Sequence, residues 1–159
     1  MVVVGLIAMV ALITMPRIDD WLQGDVERDV QRVLENLLLA VREEAVLSRT
    51  YRAVYYELEN GSFGSAILDA GGEPRTDGDS LAIRRKLPKG LKFMDVITAS
   101  KGKESKTKTF TVIWPNGFIE PTTIHIQDKR GEKHTLFVEP MAGTITLERG
   151  YLIRRWVRQ

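Results

Sequence analysis

Apolar and polar positions fall into three regimes along the chain. Met1 to Met15 (MVVVGLIAMVALITM) is an uncharged apolar run that stops at Pro16-Arg17. Val2, Val3, Val4, Leu6, Ile7, Met9, Val10, Leu12 and Ile13 would cover every side of a helix, which argues against an ordinary buried core helix with one polar face. No Lys or Arg precedes the run and Ile13-Thr14-Met15 is a poor cleavage exit, so a cleaved secretory signal does not fit either. The pattern predicts a membrane anchor. At about 1.5 Å per residue the run reaches only ~22 Å, short of the roughly 20 apolar residues that span a bilayer.

Beyond Pro16 the helical period continues but becomes one-sided. Val26, Val30, Leu34, Leu37, Val41 and Ala45 recur at helical spacings with Val33 and Leu38 beside them, while Asp25, Glu27, Arg28, Asp29, Arg32 and Glu35 fill the other positions. This predicts an amphipathic helix running to about Thr50. Pro16 is expected to kink the rod rather than end it, because membrane helices tolerate proline where neighbours satisfy the freed carbonyl.

The third regime alternates with a strand period. Arg52 to Glu59 places Ala53, Tyr55 and Glu57 on one face and Val54, Tyr56 and Leu58 on the other; Asn60-Gly61 is a hairpin turn, and Phe63 to Leu68 returns. Further strands are expected at Leu81 to Leu87, Leu91 to Ile97, Thr107 to Trp114, Thr122 to Asp128, Thr135 to Glu139 and Thr144 to Leu147. Asp69 to Asp79 and Ala99 to Lys106 read as loops by composition. The fold class expected is α+β: a long N-terminal helix packed on an antiparallel sheet domain, because so apolar a helix stripe needs a sheet face to cover it. The boundaries that follow are 1–16 for the apolar segment, 17–50 for the amphipathic helix and 51–159 for the sheet domain.

Composition adds little to this picture. The chain has 159 residues and a formal charge of +2, so no global field selects a partner. Acids outnumber bases between Arg17 and Glu59, while Arg84 to Lys108 is rich in Lys and Arg; a solvated helix face and a charged loop account for both. Cysteine is absent, which removes disulfides and thiolate metal sites.

Candidate chemistry is sparse. His125 and His134 are the only histidines, and a metal site would need further ligands such as Asp128 or Glu132 at a spacing that matches no recognised motif; exposed strand histidines are the expectation. Asp19-Asp20 and Glu43-Glu44 are adjacent on a helix and do not face each other, so they read as solvated surface. No serine lies in a nucleophile-elbow context and no glycine pair follows a strand-to-helix pattern. No catalytic residue, cofactor or metal is assigned. At the C-terminus Arg149, Arg154, Arg155 and Arg158 gather around Tyr151 and Trp156, a combination that suits phosphate contact and base stacking. The competing expectation is a last strand, Ile145 to Ile153, whose exposed arginines protect an edge or contact a neighbouring subunit.

Taken in order, several segments resemble the type IV pilin superfamily, and most closely the GspH/FimT-type pseudopilins. They are the apolar run closed by Pro16, Leu39-Ala40-Val41-Arg42-Glu43-Glu44-Ala45-Val46, Leu87-Pro88-Lys89-Gly90-Leu91, Trp114-Pro115-Asn116-Gly117 and Val138-Glu139-Pro140-Met141-Ala142-Gly143-Thr144-Ile145. The family's prepilin-peptidase motif, a glycine, a phenylalanine and a glutamate at the fifth mature position, is absent. Matching Pro16 to the family's helix proline places that glutamate about two residues before Met1. The expectation is therefore a chain recorded from inside its anchor; about six further residues would bring the apolar run to roughly 21, the span length required.

The resemblance implies a non-enzymatic, single-pass protein of the bacterial inner membrane with its sheet domain in the periplasm. A prepilin peptidase would remove the leader, the new N-terminus would be methylated, and the helices would pack in a filament. Its partners would be other major and minor pseudopilins or pilins and the lipid of the inner membrane. The function implied is that of a minor pseudopilin of a type II secretion pseudopilus, in which Val2, Val3, Val4, Leu6, Ile7, Val10, Leu12, Ile13 and Pro16 form the membrane and assembly helix. The alternative is a FimT-like minor type IV pilin that binds DNA through Arg149, Arg154, Arg155, Trp156 and Arg158 during pilus assembly or DNA uptake.

Overall fold

The computed structural model describes residues 16–154, with side chains from residue 26 onward. Helix α1 (Pro16–Ser48) occupies the first 33 of these residues. It ends where Arg49 takes a left-handed φ of 53° and the amide of Thr50 reaches back to the Ala45 carbonyl at 3.2 Å, which satisfies a last-turn acceptor. The predicted stripe is the buried one. Val30, Leu34, Leu37, Leu38, Val41 and Ala45 are all at most 3 % exposed, whereas Val33 stands at the margin.

Ten strands follow: β1 (Arg52–Glu57), β2 (Ser62–Leu68), β3 (Pro74–Arg75), β4 (Arg84–Lys86), β5 (Lys92–Thr98), β6 (Gly102–Glu104), β7 (Lys108–Ile113), β8 (Thr122–Gln127), β9 (Lys133–Val138) and β10 (Ile145–Arg149). They form two antiparallel sheets. One has the order β3-β2-β1-β7, with β4 also pairing β2; the other runs β10-β9-β8-β5-β6. The two short strands β3 and β6 lie inside segments expected to be loops, and the stretch expected as a strand from Leu81 is paired only at Arg84–Lys86. Such short pairings are set by a neighbouring strand and leave no alternation to read.

Helix and both sheets enclose one core. The stripe of α1 meets Val54, Tyr56 and Phe63 of the first sheet and Phe93, Val96, Ile124, Ile126, Leu136, Val138 and Ile145 of the second. Tyr56 and Phe63 contact Phe93 edge-on, with ring centroids 6.0 and 6.3 Å apart. A buried hydroxyl chain crosses between the sheets: Tyr56 Oη to Thr111 Oγ1 at 3.2 Å, then Thr111 Oγ1 to Thr122 Oγ1 at 2.8 Å. Burial raises the Tyr56 phenol far above its ordinary value of 10.0, so the hydroxyl stays protonated and available as a donor. The opposite face of β1 is also apolar; Ala53 and Tyr55 pack with Ala66 and Phe110 in a second, smaller cluster.

Two local irregularities aim side chains that simple alternation would misplace. A register shift between Phe93 and Asp95 turns both Phe93 and Val96 into the core while Asp95 points to the far side. Gly64 lets β4 approach; a Cβ there would lie 2.2 Å from the Ile83 carbonyl oxygen, which accepts the Ser65 amide at 2.9 Å.

Candidate functional site

Three regions bear on function: the outer flanks of α1, the C-terminal segment, and the end of the second sheet that meets the first described turns of α1. Among the described residues no helix is long and apolar enough to cross a membrane. Val2, Val3, Val4, Leu6, Ile7, Val10, Leu12 and Ile13 lie outside the described residues, and Pro16 opens the described helix.

On α1, Val33, Leu39, Val46 and Leu47 remain 40–72 % exposed, and at about 100° per residue they flank the buried stripe on both sides. Three of the segments that carried the resemblance, Leu39 to Val46, Trp114 to Gly117 and Val138 to Ile145, meet here, whereas Leu87 to Leu91 lies beside Lys129. Gly117, in the Trp114 to Gly117 turn, lies against Arg42 and Val46, and Gly143 (φ 72°) packs closely on Leu39 and Ile119. Arg42 Nη1 donates to the Ala142 carbonyl at 3.2 Å. Those turns are therefore the cradle that holds the helix to the domain.

A buried polar network ties the C-terminal end of α1 to β1 and the Asp79–Ser80 turn. Arg52 pairs with Asp79 at 2.6 Å and with Glu44 at 3.0 Å, and Asp79 also accepts from Ser65 Oγ. Glu44, expected as solvated surface, is thus half-buried and engaged.

The C-terminal segment differs from the expected strand. β10 stops at Arg149, Gly150 takes φ 96°, and Tyr151 to Arg154 cross the outer face of the second sheet. There the amide of Leu152 donates to Thr135 Oγ1 at 3.0 Å, and Thr135 Oγ1 donates to the Gly150 carbonyl at 2.6 Å. His125, expected to be exposed, is fully buried beneath this strap. Its Nδ1 lies in hydrogen-bond contact with Asp95 at 2.6 Å, its Nε2 meets the Leu152 carbonyl at 2.8 Å, and the ring stacks on Tyr151 with centroids 3.8 Å apart. Both ring nitrogens are engaged and no substrate can reach them, so the pair acts as a buried tie.

Three lysines of the basic stretch, exposed as expected, also lie over these outer faces. Lys103 Nζ donates to Tyr151 Oη at 2.8 Å and lies 3.4 Å from Asp95; the tyrosine hydroxyl first and the carboxylate second raise its pKa. Lys101 covers the Phe110 ring at 3.8 Å and Lys108 the Tyr55 ring at 4.5 Å. Arg154 pairs with Glu139 and stacks 4.5 Å over Phe137, which engages the cation inside the domain. Arg149 is exposed at the lip of a cleft, and Arg155, Trp156 and Arg158 lie outside the described residues.

His134 is the other departure from expectation. It sits at 7 % exposure on the core face of β9, because register places it opposite Ile126. Its Nε2 has no hydrogen-bond partner and points to Glu27 of α1 at 3.9 Å. Glu27, read as a polar-face residue, is itself only 6 % exposed. Asp128 completes the group, whereas Glu132 does not join it. The strand pairing that brings Asp128 near His134 was legible as a hairpin; the helix contact that adds Glu27 spans the whole domain and leaves no mark in local sequence.

A helix laid along two antiparallel sheets, with its stripe buried in their shared core, makes this an α+β domain. The chain has the GspH-type pilin-like fold. It superimposes on two structures of the minor pseudopilin EpsH from the type 2 secretion system of Vibrio cholerae. One gives a TM-score of 0.57 at 18 % identity, covering 78 % of this chain and 96 % of that one. The other gives 0.52 at 20 %, covering 77 % and 95 %. The solution structure of E. coli GspH matches with a TM-score of 0.51 at 12 % identity over 79 % of this chain and 89 % of that one. No family model matches the sequence, and no curated protein matches it.

Proposed function

We propose that this chain is a minor pseudopilin, a structural subunit of a type II secretion pseudopilus with no enzymatic role. The observation that carries the reading is the extent of the fold match, which takes in 95–96 % of the EpsH chains. The helix geometry supports it: a stripe buried against its own domain leaves Val33 and Leu47 as an apolar flank for neighbouring subunits, with Leu39 and Val46 partly exposed beside the cradle turns. In this reading residues 1–16 are the inner-membrane and filament-core segment, 17–50 the amphipathic continuation and 51–159 the periplasmic sheet domain. Pseudopilins and membrane lipid are its partners, with a prepilin peptidase and methylation acting during maturation.

The DNA-capturing pilin is the competing assignment, and the engagement of Arg154 by Glu139 and Phe137 weighs against it. Deletion of the coding sequence in its host, with complementation by the full chain, tests the reading. Loss of secretion of the type II cargo with DNA uptake intact is expected. Intact secretion, together with DNA binding by the purified full chain that is lost on R149A/R155A, would replace it by the pilin reading.

A further inference from the structure

We propose that Glu27, Asp128 and His134 form a divalent-metal site of the zinc class that clips α1 to the β8–β9 hairpin. Their ligand atoms lie within 4.8 Å of one another, drawn from three separate elements. The acidic pair alone would mean little. What points to a ligand is His134, nine-tenths buried, whose Nε2 is shielded from solvent with no partner and faces Glu27 at 3.9 Å, too far for a hydrogen bond.

The donor set decides the class of ion. One imidazole nitrogen with two carboxylates suits zinc and its neighbours, whereas calcium and magnesium favour all-oxygen sites. Zinc bonds to nitrogen and oxygen at about 2.0–2.2 Å, so ligands of one ion lie no more than about 4.3 Å apart. The Glu27–His134 pair already meets that limit at 3.9 Å, and the pairs with Asp128 lie within 4.8 Å. The loop already holds Asp128, whose Oδ1 accepts the amides of Arg130 and Glu132 at 2.8 Å each. Glu27 and His134 both border a cleft of about 470 Å³, the route by which an ion would approach, and Asp128 lies outside its lining. Arg28 and Arg149 stand in the same cleft, and their positive charge opposes a cation there.

The clip would lock α1 near Glu27, where the helix enters the domain, and it does not depend on the pseudopilin reading. The test is calorimetric titration of Zn2+ into the untagged, EDTA-treated full chain, with Mg2+ as the comparison ion. Micromolar binding of about one Zn2+, weakened at least tenfold by His134→Gln and by Glu27→Gln, is expected. If the variants do not fold, nitrogen-15 spectra of the wild-type histidines decide, since Zn2+ should shift the His134 Nε2 resonance and leave His125 unmoved. Absence of Zn2+ binding beyond that of Mg2+, binding retained in both variants, or a His134 resonance indifferent to Zn2+ would overturn the proposal.

Discussion

Asp79 shows how much of this domain rests on single buried polar groups. Its carboxylate is fully buried, pairs with an Arg52 side chain only 4 % exposed, and also receives the Ser65 hydroxyl. Removing one partner of such a pair strands the other charge away from water. Asp79→Ala should therefore lower unfolding free energy by about 3–5 kcal/mol in urea denaturation of the full chain; a loss below about 1 kcal/mol would show that Arg52 finds other partners. Glu104 is the opposite case, at the half-buried end of β6. Its Oε1 accepts the backbone amides of Lys106, Thr107 and Ser105, which lower its pKa from the ordinary 4.5. A depressed folded pKa means that this contribution is fully present above 4.5, fades as acid protonates the unfolded carboxyl, and is gone below the folded value. Carbon-13 titration of Glu104 should give a midpoint below 4.5, with the Ser105, Lys106 and Thr107 amides shifting in step; a midpoint at or above 4.5 would refute the cap.

Elements differ in how openly their sequence announces them. The helix was legible because Val30, Leu34, Leu37, Val41 and Ala45 repeat its period over several turns and are the residues that become buried. The longer strands were legible for the same reason with a different period, and β1 even separates its two faces into two apolar clusters. What stayed hidden depends on partners far along the chain. β3 and β6 exist only because β2 and β5 offer an edge, the bulge at Phe93 to Asp95 breaks its own parity, and the strap after Gly150 follows from hydrogen bonds to Thr135 and His125. Burial of both histidines and of Glu27 belongs to the same category, since local pattern cannot tell an exposed face from one that another element later covers. At this scale Leu34→Ala, which empties a wholly buried site between helix and sheets, should cost about 2–5 kcal/mol. Leu47→Ala, 72 % exposed, should change stability by no more than about 0.5 kcal/mol in the same assay.

For the whole molecule, that contrast separates what holds the domain together from what remains for neighbours. The core face of α1 is consumed within the chain, the turns at Trp114 to Gly117 and Pro140 to Gly143 grip it, and the outer flanks stay apolar and exposed. The motifs Leu39 to Val46, Trp114 to Gly117 and Val138 to Ile145 form the helix cradle, which gives these three a role in the fold. Filament assembly through the free flanks is the central claim, and a photo-crosslinking amino acid placed at Leu47 of the full chain in host membranes tests it most directly. The account predicts covalent adducts with other pseudopilin subunits that disappear when the secretion system's pseudopilins are not expressed. A chain that is membrane-associated and folded, yet yields no pseudopilin adduct from Leu47 or from Leu39 on the opposite flank, would contradict it.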